Sequence, residues 1–248
     1  MSIDPSRPAG DRPPVIFEDD HVVAVVKPAG IPTANAARGA RSLFTILQRS
    51  RPPGGFLGVV SRLDAPVSGV LLLAVTREAA ADLSRQFRER LVEKTYFALV
   101  EGRFPAPLGE WVDWSDRLSR EGQERRTRVL ALEGDEAPAA DGQSHLRGRV
   151  RLRRGEISLV ELVPSTGRRH QLRAQLAARG CPIVGDRTYG ARLPFPSAPG
   201  LGAAIALHAR RLGVAHPASG RPLEFEADWP TAWIARLPDL DRRLSGGV

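Results

Sequence analysis

A short charged turn that runs into an unbroken apolar segment constrains this chain most. Residues 61–64 read Ser-Arg-Leu-Asp, and after Pro66 and Gly69 the chain continues as Val-Leu-Leu-Leu-Ala. An apolar run of this length between turn residues predicts a buried strand over residues 70–76. Asp64 therefore lies on a loop that enters the core, where an unpaired carboxylate is costly. We expect the fold to supply Asp64 with a partner.

A second segment, residues 166–173, offers candidate partners. It reads Thr-Gly-Arg-Arg-His-Gln-Leu-Arg and so brings three arginines and a histidine together. An ion pair between Arg62 and Asp64 inside the turn is the simpler alternative. The residues alone leave both pairings open.

The charge balance predicts a polyanionic partner. The 248 residues carry a net charge of +8 and a pI of about 10.9, which favours nucleic acid first and an anionic membrane second. A bias toward arginine is the alternative explanation, because only Lys27 and Lys94 are lysines among 36 basic residues. With 42% hydrophobic residues, the chain can bury the core of one large domain or of two closely joined halves.

Several classes of protein are disfavoured by the patterns that are absent. The single cysteine, Cys181, excludes an internal disulfide framework and fits a reducing compartment. No P-loop, GxGxxG or GxSxG frame occurs, and the five histidines show no HExxH spacing. Without a signal peptide or an apolar run near 18 residues, the sequence predicts a soluble, cytoplasmic protein. The expected chemistry uses neither a metal nor a nucleotide cofactor.

The hydrophobic pattern predicts an α+β fold with a mostly antiparallel mixed sheet flanked by helices. Strands are predicted over residues 15–18, 22–26, 70–76, 94–100, 126–132, 146–153, 156–163, 203–209 and 223–227. Helices are predicted over residues 42–49, 78–90, 168–179 and 231–237. For the third helix, Thr166 is the candidate N-cap and Gly180 the stop signal. We expect residues 1–14 to form a flexible arm, residues 104–125 and 133–143 loops, and residues 239–248 a flexible tail.

Five ordered blocks of the chain resemble the RluA family of pseudouridine synthases. The family pattern HRLDxxTSGLLLxA is matched by residues 61–74, and KxYxAxVxG by residues 94–102. The long pattern TGRxHQIRxHxxxxGxPIxGDxxYG is matched by residues 166–190. The opening NKPxG element fits residues 26–30, and the closing LHAxxLxFxHPxxG pattern fits residues 207–220. Five blocks in the family's order are far more specific than any one of them.

The chain departs from the family pattern at a few positions. The usual His before Arg-Leu-Asp is Ser61, the usual Thr before Ser-Gly is Val67, and the usual His after the motif arginine is Gln175. The usual Ala-x-Thr that leads into a middle strand reads Arg-Arg-Thr at residues 125–127. The residues that carry the chemistry in the family are intact, so these departures leave the substrate choice open more than the reaction.

The resemblance implies a role for each of nine residues. Asp64 is the essential carboxylate, Arg173 its cationic partner and Tyr96 the residue that stacks on the base. Asp64 either attacks C1′ of the ribose or removes a ribose proton, and the sequence does not choose between these. The implied RNA contacts are Arg62, Arg168, Arg169 and Lys27, with a structural role as the alternative for Lys27. His170 and Gln171 are expected to support the site.

The implied reaction isomerises specific uridines of ribosomal or transfer RNA after the base is flipped out of its stack. It needs no cofactor and no metal. The family often carries an amino-terminal S4-type RNA-binding domain, but only about 14 residues precede the first predicted strand, so none is expected here. A monomer would then bind RNA through a catalytic domain over residues 15–238. A catalytically silent RNA-binding or RNA-folding protein on the same scaffold is the alternative.

Overall fold

The computed structural model describes residues 13–34, 41–117, 130–131, 143–237 and 240. The strands within these residues are β1 (Val15–Glu18), β2 (Val22–Lys27), β3 (Gly58–Val59), β4 (Ser68–Ala74), β5 (Glu93–Glu101), β6 (Trp111–Arg117), β7 (Leu130–Ala131), β8 (Gln143–Arg154), β9 (Ile157–Pro164), β10 (Leu207–Ala215) and β11 (Pro222–Glu226). The α-helices are α1 (Leu43–Arg49), α2 (Arg77–Arg88), α3 (Gln171–Ala178) and α4 (Thr231–Arg236), and a 3₁₀ helix (Arg187–Tyr189) follows α3.

The described strands all belong to one sheet. Its order is β1-β2-β4-β10-β5-β9-β8-β6-β7, with β3 paired to β4 and β11 paired to β10. β4 and β10 run parallel, whereas the other strand pairs are antiparallel. The predicted α+β fold with a mostly antiparallel mixed sheet is therefore confirmed. The order also places β4, β10 and β5 side by side at the centre of the sheet.

β4 crosses the middle of the core. All of its residues are buried, because other elements cover both faces of the sheet at this point. Leu71 and Leu73 pack in the larger of two apolar clusters, whereas Val70 and Leu72 pack in the second cluster. This alternation is the two-residue period of a strand. The strand predicted over residues 70–76 is present, although it begins and ends two residues earlier.

Side-chain caps define where the first two helices begin. The Ser42 side chain accepts a hydrogen bond from the Thr45 amide, and the Thr45 side chain accepts one from the Ser42 amide, which forms a capping box before α1. Thr76 caps α2 by accepting from the Ala79 amide. Leu83, on the apolar face of α2, is fully buried against the sheet. The two helices predicted over residues 42–49 and 78–90 are confirmed.

The start of α3 differs from the prediction. Thr166 does not cap the helix: the N-cap is His170, which has a left-handed φ of 56°, and the helix begins at Gln171. The reason is that the Thr166 hydroxyl accepts from the His145 amide on β8 and donates to the Gln171 side chain, so it bonds to no backbone amide of the first helical turn. The predicted stop is confirmed, because Gly180 has a φ of 71° just after the helix.

Two strands differ from the prediction because they pair with segments that are distant in the sequence. β6 lies within residues 104–125, which were predicted to form a loop, and it pairs with β8. Arg147 and Arg149 of β8 stack on the Trp111 ring, with guanidinium carbons 4.7 and 4.3 Å from its centroid. β10 begins four residues later than predicted and extends to Ala215, because its second half pairs with β11.

Some predicted segments lie wholly or mostly outside the described residues. Of the strand predicted over residues 126–132, only β7 is described. The predicted loop over residues 133–143 lies outside the described residues except for residue 143. Most of the predicted arm and tail also lie outside. Pro14 accepts a hydrogen bond from the Val26 amide, and Leu240 is buried in the larger cluster. In the ranges that the structure describes, no helix combines the length and apolar character that crossing a membrane requires.

Candidate active site

Hydrogen bonds to its backbone hold the Asp64 loop, which connects β3 to β4. The Thr33 hydroxyl donates to the Leu63 carbonyl at 2.9 Å and accepts from the Leu63 amide at 3.1 Å. On the other side, Lys27 Nζ donates to the Ala65 carbonyl at 3.2 Å. Because these bonds use the flanking residues, the Asp64 carboxylate is left to face the cleft, and its side chain is 26% exposed.

Arg173 on α3 connects two carboxylates. Its Nη1 donates to Asp64 Oδ2 at 3.3 Å, while its Nε and Nη2 donate to the two oxygens of Asp186 at 2.6 and 2.8 Å. Burial opposes the positive charge of Arg173, but the hydrogen bonds and charges of Asp186 and Asp64 raise its pKa above the ordinary value. The predicted pairing of Asp64 with Arg173 is present. The bidentate fork, however, goes to Asp186 and so fixes the guanidinium plane.

The alternative partner of Asp64, Arg62, does not take that position. The Arg62 side chain is exposed. In the described part of the chain it forms no ion pair with Asp64, whose basic partners are Arg173 and His170.

His170 lies on the open side of the Asp64 carboxylate. Its Nε2 is 3.6 Å from Asp64 Oδ2, and its Nδ1 is 3.1 Å from the hydroxyl of Tyr189. Burial lowers the pKa of His170, and the Asp64 charge only partly opposes this. His170 is therefore mainly neutral at pH 7. The Tyr189 ring also lies under the Arg173 guanidinium, 4.9 Å from its central carbon, so this tyrosine supports both partners of Asp64.

Tyr96 lies on β5, opposite Leu162 of β9 and Ala209 of β10. It lines the same cleft as Asp64. Burial, with a contribution from the Asp64 charge, raises the pKa of Tyr96 to about 12. The hydroxyl therefore stays protonated near neutral pH and can donate a hydrogen bond or a proton.

Gln171 holds the turn that precedes α3. Its Oε1 accepts from the Thr166 hydroxyl at 2.8 Å and from the Arg168 amide at 3.1 Å, and its Nε2 donates to the His145 carbonyl at 3.0 Å. The turn is thereby tied to β8. Because the Arg168 amide is occupied and the helix starts later than predicted, that amide is not free to bind a phosphate. Arg169 is exposed next to Arg168.

These side chains surround one cleft of about 460 Å³. Asp64, Tyr96 and Arg173 line it, together with the predicted support residues His170 and Gln171. Further lining residues come from the predicted RNA contacts, namely Arg62 and Arg168. Residues more than 100 positions apart in the sequence thus converge on a single site, which is large enough for one base and its ribose.

Lys27 does not fit the predicted RNA contact. Its side chain is completely buried, and Nζ donates to the carbonyls of Pro28, Ile31 and Ala65 at 2.8, 2.7 and 3.2 Å. All three donors of the ammonium group are therefore used. Burial lowers the pKa of Lys27 to about 7, against the effect of the nearby Asp64 charge. The structural alternative is the one that fits, because Lys27 joins the turn after β2 to the Asp64 loop.

Three departures from the family pattern lie among the described residues and occupy two different places, whereas the departure at residues 125–127 lies outside them. Ser61 and Val67 line the cleft. Gln175 is buried elsewhere, where its Nε2 donates to Asp116 Oδ2 at 2.7 Å and to the Ser144 carbonyl at 3.0 Å. Of these three described positions, Ser61 and Val67 border the space in which a substrate would lie, and Gln175 does not.

Asp186 and Thr33 were not among the predicted site residues. Asp186 lies in the matched Gly-Asp pair of the long motif, so the motif itself could have indicated it. Thr33 carries no such signal, because its partner Leu63 is 30 residues away. Among the described residues, no three His, Cys, Asp or Glu side chains are grouped closely enough to hold a metal ion.

Comparison with known proteins identifies the chain's relatives. The family model of RNA pseudouridylate synthases matches residues 21–178. The chain is 34% identical to tRNA pseudouridine synthase C of Yersinia pestis over 88% of its own length and 87% of that protein. It is 34% identical to the dual-specificity RNA pseudouridine synthase RluA of Escherichia coli strain K12, over 86% and 91% of the two chains. In tRNA pseudouridine synthase C of Pectobacterium carotovorum subsp. carotovorum, the match spans 60% of the protein.

A solved structure agrees with these matches. Human RNA pseudouridylate synthase domain containing 1 superposes with a TM-score of 0.67 at 28% identity, over 96% of this chain and 90% of that one. The family model covers more than half of the chain, and several relatives match it over most of their own length. The chain therefore belongs to the RluA family of RNA pseudouridine synthases.

Proposed function

We propose that this pseudouridine synthase isomerises specific uridines in structured transfer or ribosomal RNA, with Asp64 as the essential carboxylate. The observation that carries the proposal is the convergence of Asp64, Arg173 and Tyr96 on one cleft. The names of the relatives support the substrate class, because one is a transfer RNA synthase and another a dual-specificity RNA synthase.

The reaction breaks the N1–C1′ bond of uridine and forms a C5–C1′ bond. C5 loses a proton and N1 carries one in the product, so the reaction is balanced without a redox partner. Asp64 acts either by attacking C1′ or by removing a ribose proton. In both cases the Arg173 guanidinium, 3.3 Å away, supplies a fixed counter-charge to the carboxylate. Asp186 keeps that guanidinium in place through its two hydrogen bonds.

Tyr96 is proposed to hold the detached uracil. Its ring offers a stacking face in the cleft, and its hydroxyl, whose pKa is raised to about 12, is a proton donor at neutral pH. An enclosed base that is stacked on one side can turn over without escaping to solvent.

The RNA must present its target base out of the stack, because the Asp64 carboxylate lies inside a cleft. Arg62 and Arg168 at the cleft and the exposed Arg169 are proposed to bind the flanking backbone or fill the vacated stack. The net charge of +8 fits this role. We also propose that residues 15–238 form one catalytic domain that works as a cytoplasmic monomer.

An in vitro assay with an Asp64→Asn variant tests the proposal. Transfer and ribosomal RNA from cells that lack the protein are incubated with the purified chain, and pseudouridines are mapped before and after. We expect new pseudouridine at defined positions with the wild type. Asn preserves shape but removes charge and nucleophilicity, so the variant should bind RNA normally and form no product. A variant rate within about tenfold of wild type, a barrier change of only about 1.4 kcal/mol, would exclude Asp64 from this role.

A further inference from the structure

Helix α2 ends on a left-handed residue that is not glycine. Arg90 has a φ of 62°. The Leu91 amide donates to the Gln86 carbonyl at 3.0 Å, and the Arg90 amide donates to the Phe87 carbonyl at 3.4 Å. These two bonds define the common helix-ending motif whose left-handed position is usually glycine. A residue with a side chain adopts this conformation only at an energetic cost.

The same chain ends α3 with the same motif and uses glycine there. Gly180 has a φ of 71°, the Cys181 amide donates to the Leu176 carbonyl at 3.1 Å, and the Gly180 amide donates to the Ala177 carbonyl at 3.0 Å. The backbone requirements at the two helix ends are equal. The choice of arginine at the end of α2 therefore needs an explanation beyond the backbone.

The surroundings of Arg90 explain why an arginine occupies this position. Its side chain is exposed and lines the cleft that contains Asp64. Lys94 lies close enough that, in addition to burial, the Arg90 charge lowers its pKa. Within the described residues no carboxylate pairs with Arg90, and the neighbouring Glu89 is paired with Arg85 instead. Two cations are thus held near each other without a neutralising group.

The whole cleft shows the same imbalance of charge. Asp64 is the one carboxylate among its lining residues, all of which are described. Seven cations line it, of which Arg173 and Arg211 are ion-paired with Asp186 and Glu226. The other five are Arg62, Arg88, Arg90, Lys94 and Arg168. A concave surface with this excess of one charge concentrates the electrostatic field and attracts a polyanion.

We propose that Arg90 is a phosphate-binding residue that holds the RNA backbone beside the reacting nucleotide. This inference rests on the proposed function, since it names a contact for the same RNA. The guanidinium fork suits the oxygens of a phosphate group. A phosphate at this position also neutralises the repulsion between Arg90 and Lys94. Backbone conformations that are locally unfavourable are typical of residues kept for a function.

The binding of unfractionated transfer RNA to three variants of the full chain tests this inference. Arg90→Gly removes the side chain and relaxes the backbone, so we expect a melting temperature at or above that of wild type. We expect its Kd to rise roughly tenfold, about 1.4 kcal/mol. The slope of log K against log salt should become shallower by about one, as for the loss of one phosphate contact. Arg90→Lys keeps the charge and should stay within roughly threefold of the wild-type Kd.

Arg221→Ala is the matched control. Arg221 is exposed, lies before β11 and is not among the residues that line the cleft. The variant loses the same charge and should change the Kd by less than roughly twofold, since a distant exposed charge is screened. A wild-type Kd and salt slope in Arg90→Gly would overturn the inference. An equal loss in Arg221→Ala would also overturn it, because the effect would then come from total charge.

The outcome for the proposed function is measured separately. Pseudouridine mapping with wild type and Asp64→Asn decides whether the cleft isomerises uridine, whatever the affinity of the Arg90 variants. If the mapping is positive and Arg90→Gly binds normally, only the phosphate contact is wrong. If the mapping is negative and Arg90→Gly still loses affinity, only the catalytic proposal is wrong.

Discussion

Replacement of Asp186 by Asn tests how the site holds its arginine. The Asp186 side chain is 1% exposed and accepts two hydrogen bonds from Arg173, at 2.6 and 2.8 Å. Loss of one partner from a buried ion pair costs about 3–5 kcal/mol. Asn keeps one oxygen that can still accept a hydrogen bond, so we expect the lower end, about 3 kcal/mol. For a chain of this size that corresponds to a melting temperature lowered by about 6–12 °C.

The same substitution should slow catalysis. Arg173 uses different nitrogens for its two carboxylates, so the fork on Asp186 orients the Nη1 that contacts Asp64. Without the fork, the guanidinium can shift, and a misplacement near 1 Å in an active site costs about 100-fold. We expect the single-turnover rate at saturating enzyme to fall about 10- to 100-fold at 25 °C, where the variant remains folded.

Asp116→Asn is the matched control for this experiment. Asp116 is also 1% exposed and accepts from Gln175 at 2.7 Å and from Arg179 at 3.0 Å, in a network that does not contact Asp64. We expect a similar loss of stability with a single-turnover rate within about threefold of wild type. A wild-type rate in Asp186→Asn, with the stability loss present, would refute the orienting role and leave Asp186 as a structural partner only.

Two further predictions concern Arg173 and His208. Arg173→Ala should abolish most single-turnover activity, whereas Arg173→Lys should retain more because the charge survives without the fork. If both variants have the wild-type rate at saturating enzyme, Arg173 is an RNA contact only. Burial lowers the pKa of His208 from 6.5 to about 4. As the pH falls, the imidazole of the unfolded chain is therefore protonated at a higher pH than that of the folded protein. The stability linked to His208, about 3 kcal/mol, is complete above pH 6.5 and is lost as the pH falls toward 4. Denaturant unfolding across this pH range should show the loss of stability. A pH titration of the His208 ring protons by NMR with a midpoint near pH 6.5 would contradict the lowered pKa.

Much of the fold and the centre of the site could be predicted because those signals are local in sequence. Alternation and apolar runs indicated the central strands, since a buried strand has to be apolar on both faces. The turn before β4 placed Asp64 at the edge of the core, where a buried charge needs a partner. The resemblance to the family, and not the charge alone, chose Arg173 over Arg62 as that partner. The order of the five motifs was enough to predict the RluA family.

Features that depend on pairing between distant residues were not predictable in this way. β6 forms because β8 pairs with it, although its own residues resemble a loop. Lys27 is charged and was predicted to contact RNA, but three backbone carbonyls brought together by two turns bury it. A charged side chain carries no local signal of such burial, because its partners are defined only when the chain is folded.

The sequence by itself determined the class of sheet, the family and the positions of Asp64, Tyr96 and Arg173, because each depends on short patterns or on their order. Only the tertiary structure decided that the Arg173 fork belongs to Asp186, that His170 lies between Asp64 and Tyr189, and that α2 ends with Arg90 facing the cleft. The physical reason is that hydrogen-bond partners are chosen by distance and direction in space. These distances and directions are set when the strands and helices pack, and the spacing of residues along the chain does not specify them.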